Sequence, residues 1–313
     1  MLLVGDLGGT NVRLALWRDG QLSEIRQWRV SELCGLEDAV AAYLASLPIT
    51  PRHACIGVAG PLEGNRCEHT NAGWVVDGAT LVASSGLESA HLINDFHAAA
   101  RATPYLKETD SVSLGGAIED GPRVILGAGT GLGVALVHDR LVISGEGGHQ
   151  DFAPRGELQR EALAWLTSRD QARISTEQVC SGPGLMNLHA FLGSRAALHG
   201  QAAALPASTP AQVAEQAEHC GVARGAVEMF VDIYGSFAGD LALLALSTGG
   251  VWLAGGIAPQ LLPVMKDRFR QAFEDKSPRE HLLRKIGIRL ITHPQPGLLG
   301  AGAVLQEKLA NSR

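Results

Sequence analysis

Leu2-Leu3-Val4-Gly5-Asp6-Leu7-Gly8-Gly9-Thr10-Asn11-Val12-Arg13-Leu14-Ala15-Leu16-Trp17 sets two apolar runs around one glycine-bearing turn. Leu2 to Val4 and Val12 to Trp17 have strand character, so the pair reads as a hairpin. The turn Asp6 to Asn11 is also the strongest local candidate for phosphate binding. Gly8 and Gly9 permit close backbone approach, and Thr10, Asn11 and backbone N–H groups can donate to phosphate oxygens. Arg13 adds positive charge if it faces the turn. Asp6 can orient a Mg2+-bound water or coordinate the ion itself. A hairpin with a purely structural turn is the alternative.

Outward from this hairpin, Asp19-Gly20 marks the next turn and Leu22 to Val30 a third strand. Leu36 to Leu47 carries apolar residues at helical intervals, Cys55 to Val58 reads as a short buried strand, and Glu63 to Asn71 as a polar turn region. Leu81 to Ser85 is weakly patterned. Leu92 and Ile93 lead into Asn94-Asp95, followed by helix-forming content from Phe96 to Ala102. An aspartate at the end of an apolar strand suits a base that accepts an alcohol proton, with Asn94 positioning the substrate. Both side chains also suit a helix N-cap.

Val124 to Leu126 and Val134 to Val137 flank a second turn, Gly127-Ala128-Gly129-Thr130-Gly131-Leu132-Gly133. At an offset of 120 residues Gly9, Thr10, Ala15, Leu16 and Asp19 recur as Gly129, Thr130, Ala135, Leu136 and Asp139, which suggests a duplicated strand-turn-strand unit. The glycine spacing imitates a dinucleotide fingerprint, but that motif should open a helix, and Val134 to Val137 looks like a strand. A phosphate-binding strand-turn-strand, with Thr130 as its most useful side-chain donor between Gly129 and Gly131, is the better reading, and a purely structural turn the alternative. Gly255-Gly256, after the strand-like Val251 to Ala254, reads alone as a structural turn, but it can hold the nucleoside half of the same ligand. A divided ATP site explains the three turns together, and the chain has no continuous GxxxxGK[ST] run.

Gly145-Glu146-Gly147-Gly148-His149-Gln150-Asp151 gathers polar groups among glycines. Glu146 and His149 can bind neighbouring hydroxyls; turn stabilisation, or a metal at His149 and Asp151, are alternatives. Glu177 by itself reads as surface helix. Ser181 lacks a nucleophile elbow, and Cys180 reads as a packing residue. Further helices are expected over Glu161 to Leu166, within Ala196 to Ala217 as two pieces parted by Pro206 and Pro210, and over Ala223 to Leu246 and Leu261 to Phe273. Lys266, Arg268 and Arg270 form a solvated helix face on this reading. Ile286 to Thr292 is a final strand, and the helix from Gly300 to Leu309 can return to the first domain.

A chain of 313 residues suggests roughly two domains of about 150 residues. Its 46% hydrophobic content supports a core without disulfides or metals, and turn-rich Ala/Leu/Val/Gly usage suits layered α/β structure. A net charge of -6 favours no polyanion, so no nucleic acid is expected as a partner. Five cysteines without a paired spacing fit a reducing compartment. The start enters a strand without a basic leader, and Asp6 and Arg13 interrupt the apolar run, so cytoplasmic residence and no membrane partner are expected.

Asp6-Leu7-Gly8-Gly9-Thr10-Asn11, Ile93-Asn94-Asp95-Phe96, Gly127-Ala128-Gly129-Thr130-Gly131 and Gly145-Glu146-Gly147-Gly148-His149 together resemble the bacterial glucokinases, in order and spacing across nearly the whole chain. Similar too are Ser181-Gly182-Pro183-Gly184-Leu185, Leu253-Ala254-Gly255-Gly256-Ile257 and Ala272-Phe273-Glu274-Asp275-Lys276. The resemblance implies the two-domain, actin-like ATPase (ribonuclease H-like) α/β fold of hexokinases with a central cleft. It implies domains over residues 1–104 plus 294–313 and over 105–293. It also implies transfer of the gamma-phosphoryl group of ATP to the 6-hydroxyl of D-glucose, with Mg2+ and a homodimer.

By the same resemblance Asp95 is the general base, and Asn94, Glu146, His149 and Glu177 hold the sugar. Asp6, Gly8, Gly9, Thr10, Asn11, Gly129, Thr130 and Gly131 serve phosphate and Mg2+, Asp6 directly or through water, and Gly255 and Gly256 lie near the nucleoside. The chain lacks the cysteine-dense zinc motif of the repressor, open-reading-frame and kinase family, which disfavours a transcriptional sugar sensor. A hexokinase of different sugar preference, a noncatalytic sugar-binding regulator and a polyphosphate donor are the alternatives.

Overall fold

The computed structural model describes residues 1–69, 73–201 and 203–311. Thr70 and Asn71 of the expected polar turn, Ala202 of the Ala-rich stretch, and Ser312 and Arg313 of the expected first domain lie outside the described residues. Contacts divide the chain into two units. One comprises Met1–Asp110, Val142–Ser144 and His293–Arg313; the other comprises Ser111–Leu141 and Gly145–Thr292.

In the first unit β1 (Leu2–Leu7) and β2 (Asn11–Arg18) form the antiparallel hairpin, and β3 (Gln21–Arg29) continues it. After α1 (Leu36–Ala45), β4 (His53–Val58) lies parallel to β1. The polar stretch beyond it corrects the sequence reading: β5 (Leu62–Glu63), β6 (Arg66–His69) and β7 (Trp74–Asp77) make a small antiparallel sheet. Only alternate side chains of β6 turn inward, Cys67 and His69, which polarity alone does not reveal. Asp77 then caps α2 (Gly78–Ser85) through the N–H groups of Ala79 and Thr80. Finally β8 (Ser89–Asn94) runs parallel to β4 and leads directly into α3 (Asp95–Ala102). The five-stranded sheet has the order β3-β2-β1-β4-β8.

The second unit repeats the plan. After β9 (Ser111–Ser113), β10 (Arg123–Ala128) and β11 (Leu132–His138) form an antiparallel hairpin around Gly129, Thr130 and Gly131. The chain continues through β12 (Leu141–Gly145), α4 (Gly156–Asp170), α5 (Gly182–Leu198), α6 (Pro210–Gln216) and α7 (Gly221–Ala245). Next come β13 (Val251–Ala254), α8 (Leu262–Glu274), α9 (Glu280–Leu283) and β14 (Ile288–Ile291). β10, β13 and β14 are parallel neighbours in a six-stranded sheet ordered β12-β11-β10-β13-β14-β9. The duplication seen at the 120-residue offset is thus two hairpins of like pairing, and Asp19 and Asp139 both adopt left-handed backbone just after them, at φ 48° and 53°.

Two local readings change. Ser181 is the cap of α5, its Oγ accepting the Gly184 N–H at 3.0 Å, so that helix begins well before the Ala-rich stretch. Of the expected solvated basic face on α8, only Lys266 is exposed. Arg268 pairs with Asp232 at 2.7 Å, and Arg270 donates to the carbonyls of Leu283, Arg284 and Ile286. Their charges serve the packing of α8, which an i, i+2, i+4 spacing of cations does not disclose.

The last helix, α10 (Pro296–Asn311), packs in the first unit against α3, β1 and β4. Val4, Cys55, Ile93, Ala98, Leu298 and Leu305 share one apolar cluster there, while Leu3, Ala54, Ile56, Val40 and Tyr43 fill the opposite face of the sheet. β1 and β4 are therefore covered on both faces, which accounts for their unbroken apolar runs.

Candidate functional site

In the first unit, Asp6 is the penultimate residue of β1, with its side chain 21% exposed. Burial pushes its carboxyl above the ordinary range, and the Arg13 guanidinium, 3.2 Å away, opposes that shift. Arg13 sits opposite Asp6 in the β1–β2 register and opposite Gln27 in the β2–β3 register. Gln27 Oε1 accepts from Arg13 Nε at 2.9 Å, and Gln27 Nε2 donates to Asn11 Oδ1 at 3.1 Å. One side chain on β3 thereby orients Asn11 of the glycine turn and Arg13 just beyond it. Sequence reasoning missed Gln27 because its role exists only once β3 is paired. Within the turn the Gly8 N–H is committed to Asn11 O at 3.0 Å, whereas Thr10 is exposed.

Asn94 and Asp95 occupy the junction of β8 and α3. Asn94 is the N-cap: its Oδ1 accepts the N–H groups of Phe96 and His97 at 2.9 and 3.1 Å, and its Nδ2 donates to Gly60 O at 3.3 Å. The capping alternative thus holds for Asn94. Asp95 is the first helical residue, half-buried, with Oδ1 accepting the Phe96 N–H at 2.9 Å. A strand buried in the sheet and a capped helix fix its backbone from both sides.

The second unit brings its own candidates together. Glu146 and His149 flank a single turn of 3-10 helix, with His149 Nε2 3.8 Å from Glu146 Oε2 and both side chains more than half exposed. Arg173, which sequence reasoning did not single out, donates to His149 O at 2.9 Å and to Asp151 Oδ1 at 2.6 Å. Asp151, the other residue of the metal alternative, is thus ion-paired with Arg173 through Oδ1. Glu177 lies in a turn and not on a surface helix. Its N–H donates to Gly148 O at 2.9 Å and its Oε2 accepts the Leu132 N–H at 2.7 Å. Thr130 is exposed at the tip of the β10–β11 turn. Gly255, at φ +87°, and Gly256 follow β13, and Ile257 N–H reaches back to Ala128 O at 3.4 Å. The glycines expected near phosphate and nucleoside are therefore neighbours.

Among the described residues no group of three or more His, Cys, Asp or Glu gathers as a metal site. A single hard oxygen donor such as Asp6 nonetheless fits Mg2+, which keeps several waters and takes its other ligands from substrate phosphates. Its carboxyl, held against desolvation, also gains from a cation beside it. Cys180 is fully buried and its thiol is pushed well up by burial, in keeping with a packing role. No helix among the described residues is long and apolar enough to cross a membrane.

A model of the glucokinase family matches residues 3–308. The chain belongs to that family. It is 41% identical to the glucokinase of Yersinia enterocolitica, over 98% of this chain and 97% of that one. The crystal structure of a glucokinase from an Antarctic psychrotroph superposes with a TM-score of 0.83 at 30% identity, covering 98% of each chain. A glucokinase of Balamuthia mandrillaris matches in fold with a TM-score of 0.83 at 21% identity, over 97% of this chain and 93% of that one. The α/β fold is that of the actin-like ATPases. As a member of the glucokinase family, the protein is an ATP-dependent enzyme that phosphorylates a hexose.

Proposed function

We propose that the enzyme transfers the gamma-phosphoryl group of ATP to the 6-hydroxyl of D-glucose, giving D-glucose 6-phosphate and ADP. The observation that carries the reading is Asp95 as first residue of α3, half-buried and backed by the Asn94 cap. An alcohol attacks phosphorus poorly until its proton leaves. Asp95 accepts that proton as O6 bonds to the gamma phosphorus and the bond from phosphorus to the bridging oxygen of ADP breaks. Asn94, Glu146, His149 and Glu177 hold the sugar hydroxyls. Asp6, Gly8, Gly9, Thr10, Asn11, Gly129, Thr130 and Gly131 serve the phosphates, and Gly255 and Gly256 the nucleoside. Asp6 would hold Mg2+, directly or through water, and the ion when bound neutralises charge on the phosphate oxygens.

Glucose as acceptor is supported by the naming of relatives 41% identical along nearly the whole chain. Cytoplasmic residence and a homodimer belong to the same proposal. The test is product formation by the purified protein from ATP or polyphosphate, with glucose, mannose, fructose and N-acetylglucosamine as acceptors. Glucose with ATP should give the highest kcat/KM. A higher value for another hexose, or for polyphosphate, would overturn the substrate assignment.

A further inference from the structure

The Glu177 carboxylate stands where two functions of the second unit meet. Through Oε2 it accepts the N–H of Leu132, the residue directly after the Gly129-Thr130-Gly131 turn. Its own N–H holds Gly148 O, between Glu146 and His149. Five residues on, Gly182 N–H donates to Gly129 O at 2.8 Å, so one short segment grips both ends of the turn. The carboxylate also lies against Gly131, where a Cβ would stand 2.6 Å from Glu177 Oε2 and would displace it.

Resting on the reading of Glu177 as a sugar ligand, we propose that Glu177 is a positioning residue through which hexose occupancy orders the phosphate turn, so that sugar and nucleotide bind with positive coupling. A carboxylate this close to a phosphate turn repels the nucleotide while a single N–H compensates its charge. A sugar hydroxyl donating to the other oxygen spreads that charge and fixes the rotamer that holds Leu132. Nucleotide then meets a turn already ordered, and linkage makes the effect reciprocal.

The experiment is calorimetric binding of the Mg2+ complex of a non-hydrolysable ATP analogue to the full chain, without and with saturating D-glucose. Glucose should tighten analogue binding about fivefold or more in the unsubstituted protein. E177Q keeps the size but removes the charge, and G131A drives the carboxylate off Leu132; each should bring the ratio near one, thermal melts confirming the fold. H149A should weaken glucose yet, at saturating sugar, keep the ratio. A ratio near one in the unsubstituted protein, a full ratio in folded E177Q, or its loss in H149A would overturn the proposal. Absence of any glucose heat would instead contradict the sugar reading on which the proposal rests.

Discussion

Asp6 is a carboxylate kept where its charge is poorly solvated. Burial raises its pKa, so the group favours the fold when protonated. That contribution is fully present below the unfolded value of about 3.9 and is lost as pH rises through the higher folded value. Wherever Asp6 is ionised in the fold, desolvation costs stability, and Arg13 offsets part of that cost. D6N should melt no lower than the unsubstituted protein at pH 7, with any advantage shrinking toward pH 4, while phosphoryl transfer falls. Thermal melts across that range check it; a clearly lower melting temperature at pH 7 would mean that the Arg13 pair outweighs desolvation. Asp6, Thr10 and Asn94-Asp95 were legible in sequence because strand ends and glycine turns mark them. Gln27 and Arg173 were not, since each acts on residues 14 or more positions away and only through pairing or tertiary contact.

At the scale of elements, apolar runs disclosed most strands of both sheets, and helical spacing disclosed α1, α7, α8 and α10. What stayed hidden were elements defined by caps or by alternation in polar sequence, such as α2 behind Asp77 and the β6 strand with Cys67 and His69 turned inward. The return of the last helix to the first domain was expected from the sequence, but its packing on α3, which supports the helix that begins with Asp95, was not. These helices meet at Gly300, where a Cβ would fall 1.6 Å from Ala98 O. The backbone must move to admit one. G300A should therefore destabilise the fold by about 1–3 kcal/mol or more, read from urea unfolding midpoints. Unchanged midpoints would show that α3 and α10 are not so closely apposed. Because Asp95 opens α3, G300A should also lower kcat.

For the whole molecule, a single device occurs twice: an antiparallel hairpin with a three-residue glycine-bearing turn, joined to parallel strands. The 120-residue echo was legible because such a turn tolerates few residue types, whereas the sheets around it share only apolar character. In the proposed roles the proton acceptor Asp95 and the sugar contact Asn94 belong to the first unit, and the sugar contacts Glu146, His149 and Glu177 to the second. Removing the proton acceptor alone should separate transfer from binding. The most direct measurement is the turnover of D95N with saturating ATP and glucose, alongside its glucose affinity by calorimetry. Turnover should fall by about 10²- to 10⁴-fold, the usual share of a general base, with glucose affinity within about tenfold of the unsubstituted protein. Near-normal turnover by folded D95N would contradict the assignment of Asp95 as the base.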